Sequence, residues 1–345
     1  MKDNKIKVAF AGINQQVEEH IPQNVSLDVN KDFIAWGKDN KYPNFLYDLY
    51  ANSSTLSSII NGVTDFVVGD AINYEEFEEL LYNVVKDYLI YGVAYINVLC
   101  NHNHEITKLH YINAKNIRSN EDNTVFFYSE DWSKSYGRVK TIVLPKYSPN
   151  CTYDSCILMI KNYGTDTYTS PIYSSAIKSI VTDIEINKFH LNEIFNNFSA
   201  SAIINFNNGT PTDEDKDEIE NMINEKFCGA ENSGRFVLVF NDNKESSTTI
   251  ERLNTDDFEK RYDALYKKVR QDIFTAFRAN PNLFGIPTEN LGFSNEEYET
   301  SFRLFNRTVI KPIQKKIVNE FNKLGFNLEI KPFSLDDNNK EQIVE

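Results

Sequence analysis

Two long stretches with helical hydrophobic periodicity enclose a short strand–helix–strand pattern, and no other feature restricts the possible folds more. The stretches cover residues 171–200 and 255–279, and their apolar residues recur at the three- and four-residue spacing of one helix face. Residues 201–254 lie between them, so the two helices can lie side by side in opposite directions. The apolar stripes are Tyr173, Ile177, Ile180, Ile184, Ile194, Phe195 and Phe198, and then Phe258, Tyr262, Leu265, Tyr266, Val269, Ile273, Phe274 and Phe277.

The ends of the first long helix are predicted from its flanking residues. Ser170 is placed as an N-cap, and Pro171 as the first helical residue. A helix from there to Ala200 would be roughly 40 Å long, which exceeds a typical domain helix.

Residues 201–254 predict a small α/β unit. The segments SAIINF and RFVLVF have the composition of buried strands. Between them, Thr212 and the acidic residues that follow it predict a helix that runs to Phe227 and stops at Gly229.

The first 170 residues predict a mixed α+β region. Three helices are expected: one opening at Tyr42 and Pro43, one capped by Ser53 or Ser54 and stopped at Gly69, and one over residues 74–91. A β-hairpin with its tip at residues 101–104 follows, and then three more strands in the segments TVFFYS, VKTIVLP and CILMIKNY. The predicted class is therefore α+β, with a small antiparallel sheet.

Residues 280–294 form a broken, apolar segment between two helical patterns. Pro281 and Pro287 fix φ, whereas Gly285 and Gly292 permit sharp turns. Residues 295–323 predict a last long helix that begins with a capping box and is kinked at Pro312. Gly325 ends this helix, and FNLEIKPF predicts a closing strand.

Composition excludes several classes of protein. The 345 residues carry a net charge of −14, so the surface offers phosphates no sequence-independent affinity, and any contact with nucleic acid must be local. No apolar run is long enough to span a membrane, and no signal peptide is expected. The four cysteines are scattered without a C-x-x-C pair, which suits a reducing compartment.

The sequence does not favour a metal site or a catalytic site. Cys100, His102 and His104 share one face of the predicted hairpin, with His110 opposite, but a plain polar turn is preferred over a zinc site. No phosphate-binding P-loop and no hydrolase or zinc-protease motif occurs, and the paired carboxylates look like helix starts. The predictions are therefore no catalytic residue, no metal and no cofactor.

The order of these elements resembles that of tailed-bacteriophage portal proteins, the head–tail connector subunits. The segments that carry the resemblance are residues 36–69, 169–206, 211–240 and 274–322, and the last contains an FGIP turn, an Asn-Glu helix start and a helix with Ile-x-Pro. The match covers roughly residues 33–330. No single motif is diagnostic, and the order of the motifs is what supports the resemblance.

The resemblance implies a division of the chain into portal parts. It gives a wing over residues 1–170, a first stem helix over 171–200, a clip over 201–254 and a second stem helix over 255–279. A tunnel loop would cover residues 280–294, and residues 295–345 would form the long wing helix and a short tail. Only some twenty residues follow Gly325, so a crown domain would be minimal or absent.

The implied function is that of a non-enzymatic ring, with twelve subunits as the usual number, at one capsid vertex. Double-stranded DNA would pass through it during packaging and ejection without sequence-specific binding, and no membrane would be involved. Its partners would be the terminase large subunit, the major capsid protein and a head–tail adaptor. The protein would reside in the virion, and in the host cytoplasm during assembly.

The candidate functional residues fall into three sets. Polar residues of the tunnel loop would lie near the DNA: Asn282, Thr288, Asn290, Ser294 and Asn295. The loop anchors, expected between neighbouring subunits, are Leu283, Phe284 and Ile286. Cations that would face DNA or the acids of a neighbouring subunit are Lys267, Lys268, Arg270, Arg303 and Arg307.

Plainer alternatives remain open at this stage. The broken segment could be an ordinary loop covering the core, and the cations could be solvated helix faces that form i,i+4 pairs. For the whole chain, the alternatives are a small α+β enzyme with a helical cap and a cellular scaffold with paired long helices.

Overall fold

The computed structural model describes residues 33–37, 39–69, 77–132, 141–149, 152–195, 202–206, 236–240, 256–286 and 295–329. The chain divides into two compact units. One consists of Met1–Val181 with Arg270–Glu345, and the other of Thr182–Val269.

Three helices open the described part of the first unit: α1 (Tyr42–Asn52), α2 (Ser54–Val68) and α3 (Glu78–Tyr91). Ser53 is the cap of α2, since its Oγ accepts a hydrogen bond from the Leu56 N–H at 3.1 Å. Gly92 ends α3 in the left-handed region at φ 78°. The apolar stripe of α2 is buried: Leu56, Ile59, Ile60 and Val63 are fully inaccessible to solvent.

Two three-stranded antiparallel sheets follow, where one small sheet was expected. The first has the strand order β2-β1-β6, with β1 at Val93–Cys100, β2 at Ile106–Ile112 and β6 at Ser155–Lys161. The second has the order β3-β4-β5, with β3 at Ile117–Ser119, β4 at Val125–Tyr128 and β5 at Ile142–Pro145. The predicted β1–β2 hairpin is confirmed.

Arg118 on β3 is a fully buried cation in this region. Its Nη1 donates to the carbonyls of Lys115 and Ile117 at 2.9 and 2.7 Å, and its Nη2 donates to that of Asn40 at 2.8 Å. The guanidinium also lies 4.8 Å from the ring centre of Trp132. Burial lowers the pKa of Arg118 to about 10, so the group stays charged at neutral pH.

Asp87 on α3 is a buried acid next to the start of a 3-10 turn, Ala114–Asn116. Its Oδ2 accepts a hydrogen bond from the Ala114 N–H at 2.7 Å. Burial raises the pKa of the Asp87 carboxyl to about 7, against the lowering effects of the Ala114 N–H and the Tyr111 hydroxyl.

The first long helix begins later than predicted. A 3-10 turn, Ser174–Ala176, precedes α4 (Ile177–Phe195), and Pro171 lies in the preceding turn. The carbonyls of Thr169 and Ser170 lie against Gly92, at 2.8 and 2.7 Å from where a Cβ would stand. This tight approach holds Ser170 against the end of α3, away from an N-cap position. The 19 residues of α4 give a length of about 28 Å.

The second long helix, α5, covers Asp256–Ala276. Within the first unit, Tyr173 stacks on Phe277 at 5.7 Å, and the Ser179 Oγ donates to Asp272 Oδ2 at 3.3 Å. The partner number falls as the residue number rises, which is the pattern of antiparallel neighbours. In the second unit, Phe189 stacks on Tyr262 with ring centres 5.1 Å apart.

The strands of the predicted α/β unit are β7 (Ala202–Phe206) and β8 (Phe236–Phe240), and they pair in parallel. Parallel neighbours need a crossover connection, which agrees with the predicted strand–helix–strand order. The predicted helix over residues 212–227 lies outside the described residues.

The last helical stretch has three parts. α6 covers Asn295–Phe305, a π-helical turn covers Asn306–Ile310, and α7 covers Lys311–Lys323. Pro312 lacks an N–H and its ring crowds the preceding turn, so the chain widens just before it. Phe326 to Glu329 have no regular structure, in contrast to the predicted strand, whose remainder lies outside the described residues.

The cysteines also differ from expectation. Cys156 on β6 is disulfide-bonded, although the scattered cysteines suggested reduced thiols, and Cys100 is free.

Candidate functional site

The predicted tunnel loop, residues 280–294, begins with a sharp turn. Arg278 takes a left-handed conformation at φ 54°, and a 3-10 turn follows at Pro281–Phe284. The Asn280 Oδ1 accepts from the Asn282 N–H at 3.2 Å, and Gly285 closes the turn at φ 75°. The Asn280 amide also donates to the Ser301 Oγ on α6 at 2.8 Å, a contact that sequence periodicity could not indicate.

Phe284 anchors this turn in an aromatic cluster of its own chain. Its ring centre lies 5.6 Å from that of Phe274 and 6.2 and 6.3 Å from those of Phe66 and Phe305. Gly62 on α2 makes room, because a Cβ there would lie 2.7 Å from the Phe284 ring.

The other two predicted anchors differ in burial. Leu283 is buried and Ile286 is half-buried. The described contacts of Phe284 lie on α2, α5 and α6, which converge at this turn. That the three anchor residues also lie between neighbouring subunits stays a prediction.

The structure describes two of the five polar residues predicted to lie near DNA, Asn282 and Asn295. Asn282 is only 6% exposed, and its Oδ1 has no hydrogen-bond partner within the described residues. It was predicted to lie near DNA, and the turn places its side chain inside the fold instead. Asn295 is the first residue of α6. Thr288, Asn290 and Ser294 lie outside the described residues.

Arg303 and Arg307 begin a row of exposed cations that continues at Lys311 and Lys315. We call these four residues the basic row. Each four-residue step in an α-helix overshoots a full turn by about 40°, so a row at this spacing would wind around the helix. In the π-helical turn at Asn306–Ile310, each residue rotates the chain by a smaller angle around the helix axis. This reduces the winding of the row around the helix. No member of the row has an ion-pair partner within the described residues.

The three predicted cations of α5 do not continue this row. Lys267 forms an i,i+4 ion pair with Asp263 at 3.1 Å, and both side chains are more than half exposed. Lys268 is exposed and belongs to the same unit as Lys267, whereas Arg270 is half-buried and belongs to the first unit. Lys267 therefore matches the alternative in which the cation lies on a solvated helix face and forms an i,i+4 pair.

The candidate metal ligands of the hairpin lie around a polar turn. Asn101 organises it: its Oδ1 accepts from the N–H groups of Asn103 and Glu105, both at 2.9 Å. His102, His104 and His110 are exposed. Across the described ranges, no group of three or more His, Cys, Asp and Glu side chains is arranged to hold a metal ion.

Comparison with known proteins decides the family. The family model described as "Phage portal protein" matches residues 61–339, which is most of the chain and includes residues of both compact units. The chain belongs to the phage portal protein family. No curated protein sequence matches it.

Two chains from gene transfer agent particles show the same fold. A chain from the virion of a native gene transfer agent particle is 17% identical, with a TM-score of 0.54, and the match covers 86% of this portal protein and 84% of that chain. A chain from the neck of a native gene transfer agent particle, computed with C12 symmetry, is 16% identical with a TM-score of 0.52, covering 86% and 85%. A portal protein of an HK97-family phage from Corynebacterium diphtheriae is 11% identical with a TM-score of 0.47, covering 83% and 94%.

Membership of this family removes the enzyme alternative, since phage portals are structural proteins without catalytic activity. The carboxylate pairs and hairpin histidines therefore need no catalytic role. Of the helices that the structure describes, none combines the length and apolar character required to cross a bilayer.

Proposed function

We propose that this portal protein is one subunit of a homo-oligomeric ring of twelve, set at one capsid vertex, through which double-stranded DNA is packaged and ejected. The match to the portal family over residues 61–339 carries this proposal. It is supported by the likeness to a chain from a particle neck computed with C12 symmetry. Residues 201–254 form the clip, where the terminase large subunit and then the head–tail adaptor dock. The wing, residues 1–170, meets the major capsid protein. Assembly takes place in the host cytoplasm.

Electron microscopy of the purified protein tests the ring directly. The expected particle is a closed ring with a central hole wide enough for duplex DNA. Compact monomers at micromolar concentration, in the presence and absence of capsid protein, would contradict the proposal.

In this ring, the part of the tunnel loop that follows the anchored turn lies nearest the DNA. It contains Thr288, Asn290, Ser294 and Asn295. The length of chain after Ile286 determines how far these residues extend towards the DNA. The packing of Phe284 on Phe66 and Phe274 fixes the base of the loop. The anchor therefore has to be preserved in any test of the loop.

A short deletion separates the role of the loop from the stability of its base. Removal of residues 288–292 leaves the Pro281–Phe284 turn intact. Assembled heads that carry the deletion should package DNA but lose it on storage, measured as nuclease-accessible genome. A matched deletion in the exposed hairpin tip, residues 102–103, should leave retention unchanged. If heads with either deletion retain DNA equally well, the proposed role of the loop in the channel is wrong.

The basic row is the second element proposed to act on DNA. Successive members are about 6 Å apart along the helix axis, and a DNA duplex carries about one charge per 1.7 Å. A chain with a net charge of −14 repels DNA at long range, so a short row of cations, none of them ion-paired in the described ranges, can contact phosphates without holding the duplex in place.

Charge reversal distinguishes the two cation clusters. Arg303→Glu with Arg307→Glu should make packaging more sensitive to ionic strength. Lys267→Glu with Lys268→Glu makes the same change in charge on α5, where Lys267 already has the partner Asp263, and should have a smaller effect. If the α5 variant has the larger effect, the assignment of DNA contact to Arg303 and Arg307 is wrong.

A further inference from the structure

Strand β6 has one open edge. It pairs with β1 in antiparallel register, and the Asn162 N–H donates to the Gly92 carbonyl at 2.8 Å at one end of the ladder. Because hydrogen-bonded pairs alternate along such a ladder, Leu158 and Ile160 direct their backbone groups towards β1. Met159 and Lys161 therefore direct theirs to the opposite side.

The open edge is occupied at its two ends only. At one end the Tyr147 N–H donates to the Ile157 carbonyl at 2.8 Å. At the other end the Lys316 Nζ donates to the Lys161 carbonyl at 2.8 Å. Between them, the N–H and C=O of Met159 and the N–H of Lys161 have no partner in the part of the chain that the structure describes. An unpaired donor and acceptor on a sheet edge form a template for another strand.

A groove of about 470 Å³ lies along this edge, between β6 and α7. We call it the β6 groove. Its lysines are Lys146, Lys161, Lys316 and Lys323, and the acid beside them, Glu320, is paired with Lys323 at 2.7 Å. Tyr163 is 85% exposed, and its ring lies 3.7 Å from the Lys316 ammonium.

The lysines, the Met159 backbone groups and the tyrosine ring together select one class of ligand. The lysines favour an anionic ligand, and the free Met159 groups require a ligand with both a donor and an acceptor at peptide spacing. A phosphodiester, as in DNA, offers acceptors only, so it would leave the Met159 carbonyl unpaired. The exposed tyrosine ring adds an apolar surface on which a side-chain stem can pack.

We propose that the β6 groove binds an acidic segment of a partner protein in extended conformation, which adds to the sheet as a strand beside Met159. Carboxylates on one face of that segment meet the ammonium groups of Lys146 and Lys316. This interaction is independent of the passage of DNA through a ring.

The first test measures binding of a defined probe to the full-length protein. The probe is a fluorescein-labelled, blocked heptapeptide of alternating Asp and Val, and its control has Lys in place of Asp. Fluorescence anisotropy should show the acidic peptide binding at least tenfold more tightly. Lys146→Gln with Lys316→Gln should weaken it about tenfold. Lys311→Gln with Lys315→Gln, which removes the same charge from exposed positions of α7, should change the dissociation constant less than twofold.

A second measurement tests the strand geometry. On binding of the acidic peptide, hydrogen exchange at the Met159 and Lys161 amides should slow about tenfold, whereas the amides of β2 should not change. Lys146→Gln alone serves where the double variant fails to fold, because Lys146 is exposed.

Several results would overturn the proposal. One is that both pairs of lysine substitutions weaken peptide binding equally. Another is that the acidic peptide binds without slowing hydrogen exchange at the Met159 amide. A third is that a ten-residue oligothymidylate binds more tightly than the acidic peptide. Full protection of both amides before any peptide is added would also do so, since the groove would then be covered already.

Discussion

Arg118 and Arg303 carry the same side chain in the same compact unit, but their surroundings are opposite. Arg118 has no exposed surface and donates to three backbone carbonyls, while Trp132 packs against its guanidinium. Arg303 is exposed on α6 and has no ion-pair partner within the described residues. One cation is fully satisfied inside the protein, and the other is available to a partner.

The contrast separates charge that holds the fold from charge that can bind. Removing a buried, hydrogen-bonded cation leaves acceptors without donors, which costs about 1–3 kcal/mol for each buried group. Removing an exposed, unpaired cation usually changes stability by less than about 0.5 kcal/mol. Variants of the two kinds should therefore affect different measurements.

The largest expected effect is that of Arg118→Met. The variant keeps the apolar stem but leaves the carbonyls of Asn40, Lys115 and Ile117 without their donor, so we expect a loss of about 3–5 kcal/mol in the free energy of unfolding. Urea denaturation measures it, with Arg303→Met as the matched control. A loss below about 1 kcal/mol would mean that water replaces the guanidinium in the interior.

Phe284→Ala should have the next largest effect, a loss of about 3 kcal/mol in the free energy of unfolding. The substitution leaves a cavity that the rings of Phe66 and Phe274 cannot fill. Leu304→Ala is the control, since Leu304 is 64% exposed and should change little. The same urea experiment on the unassembled protein decides between two anchoring modes. If Phe284→Ala destabilises only the assembled form, the anchor works between subunits, as the sequence first suggested.

Asp87 gives an intermediate effect that depends on pH. Its folded-state pKa of about 7 is raised above the ordinary 3.8, so its contribution to stability is fully present below about pH 4 and is lost as the pH rises through 7. The charged or titratable side chains that act on it are Tyr91, Tyr95, Tyr111, Lys86 and Lys115.

Asp87→Asn removes this titration. Between pH 5 and pH 7, the free energy of unfolding of the natural protein should fall by about 2 kcal/mol relative to the variant. Thermal or urea unfolding across that range measures the difference. Parallel pH curves for the two proteins would show that the carboxyl titrates normally in the folded state.

Most helices and strands of the described region could be predicted from local patterns. The stripe of α2, the Ser53 cap and the Gly92 stop are decided by neighbouring residues, and each appears where periodicity and capping rules placed it. The β1–β2 hairpin followed from a polar tip between two apolar strands. Family membership followed from the order of such elements along the chain.

Contacts between distant residues account for the errors. Ser170 is a good N-cap by composition, but its carbonyl lies against Gly92, so α4 begins at Ile177. Asn282 was expected near DNA because it is polar, yet it is buried beneath a turn whose position depends on α2 and α6. Pro312 made a kink predictable, but the π-helical turn before it was not, because no local residue pattern specifies such a turn.

The smallest expected change in stability belongs to Arg303→Gln with Arg307→Gln, and it sharpens the contrast with Arg118 most directly. Unfolding should change by less than about 0.5 kcal/mol, because both side chains are exposed and unpaired in the described structure. Binding of duplex DNA to the purified oligomer, measured by filter binding from 50 to 200 mM salt, should show a slope of log affinity against log salt that is smaller by about 2. Lys267→Gln with Lys268→Gln should reduce it less, since Asp263 already neutralises Lys267. An unchanged slope for the arginine pair would mean that Arg303 and Arg307 do not contact phosphates.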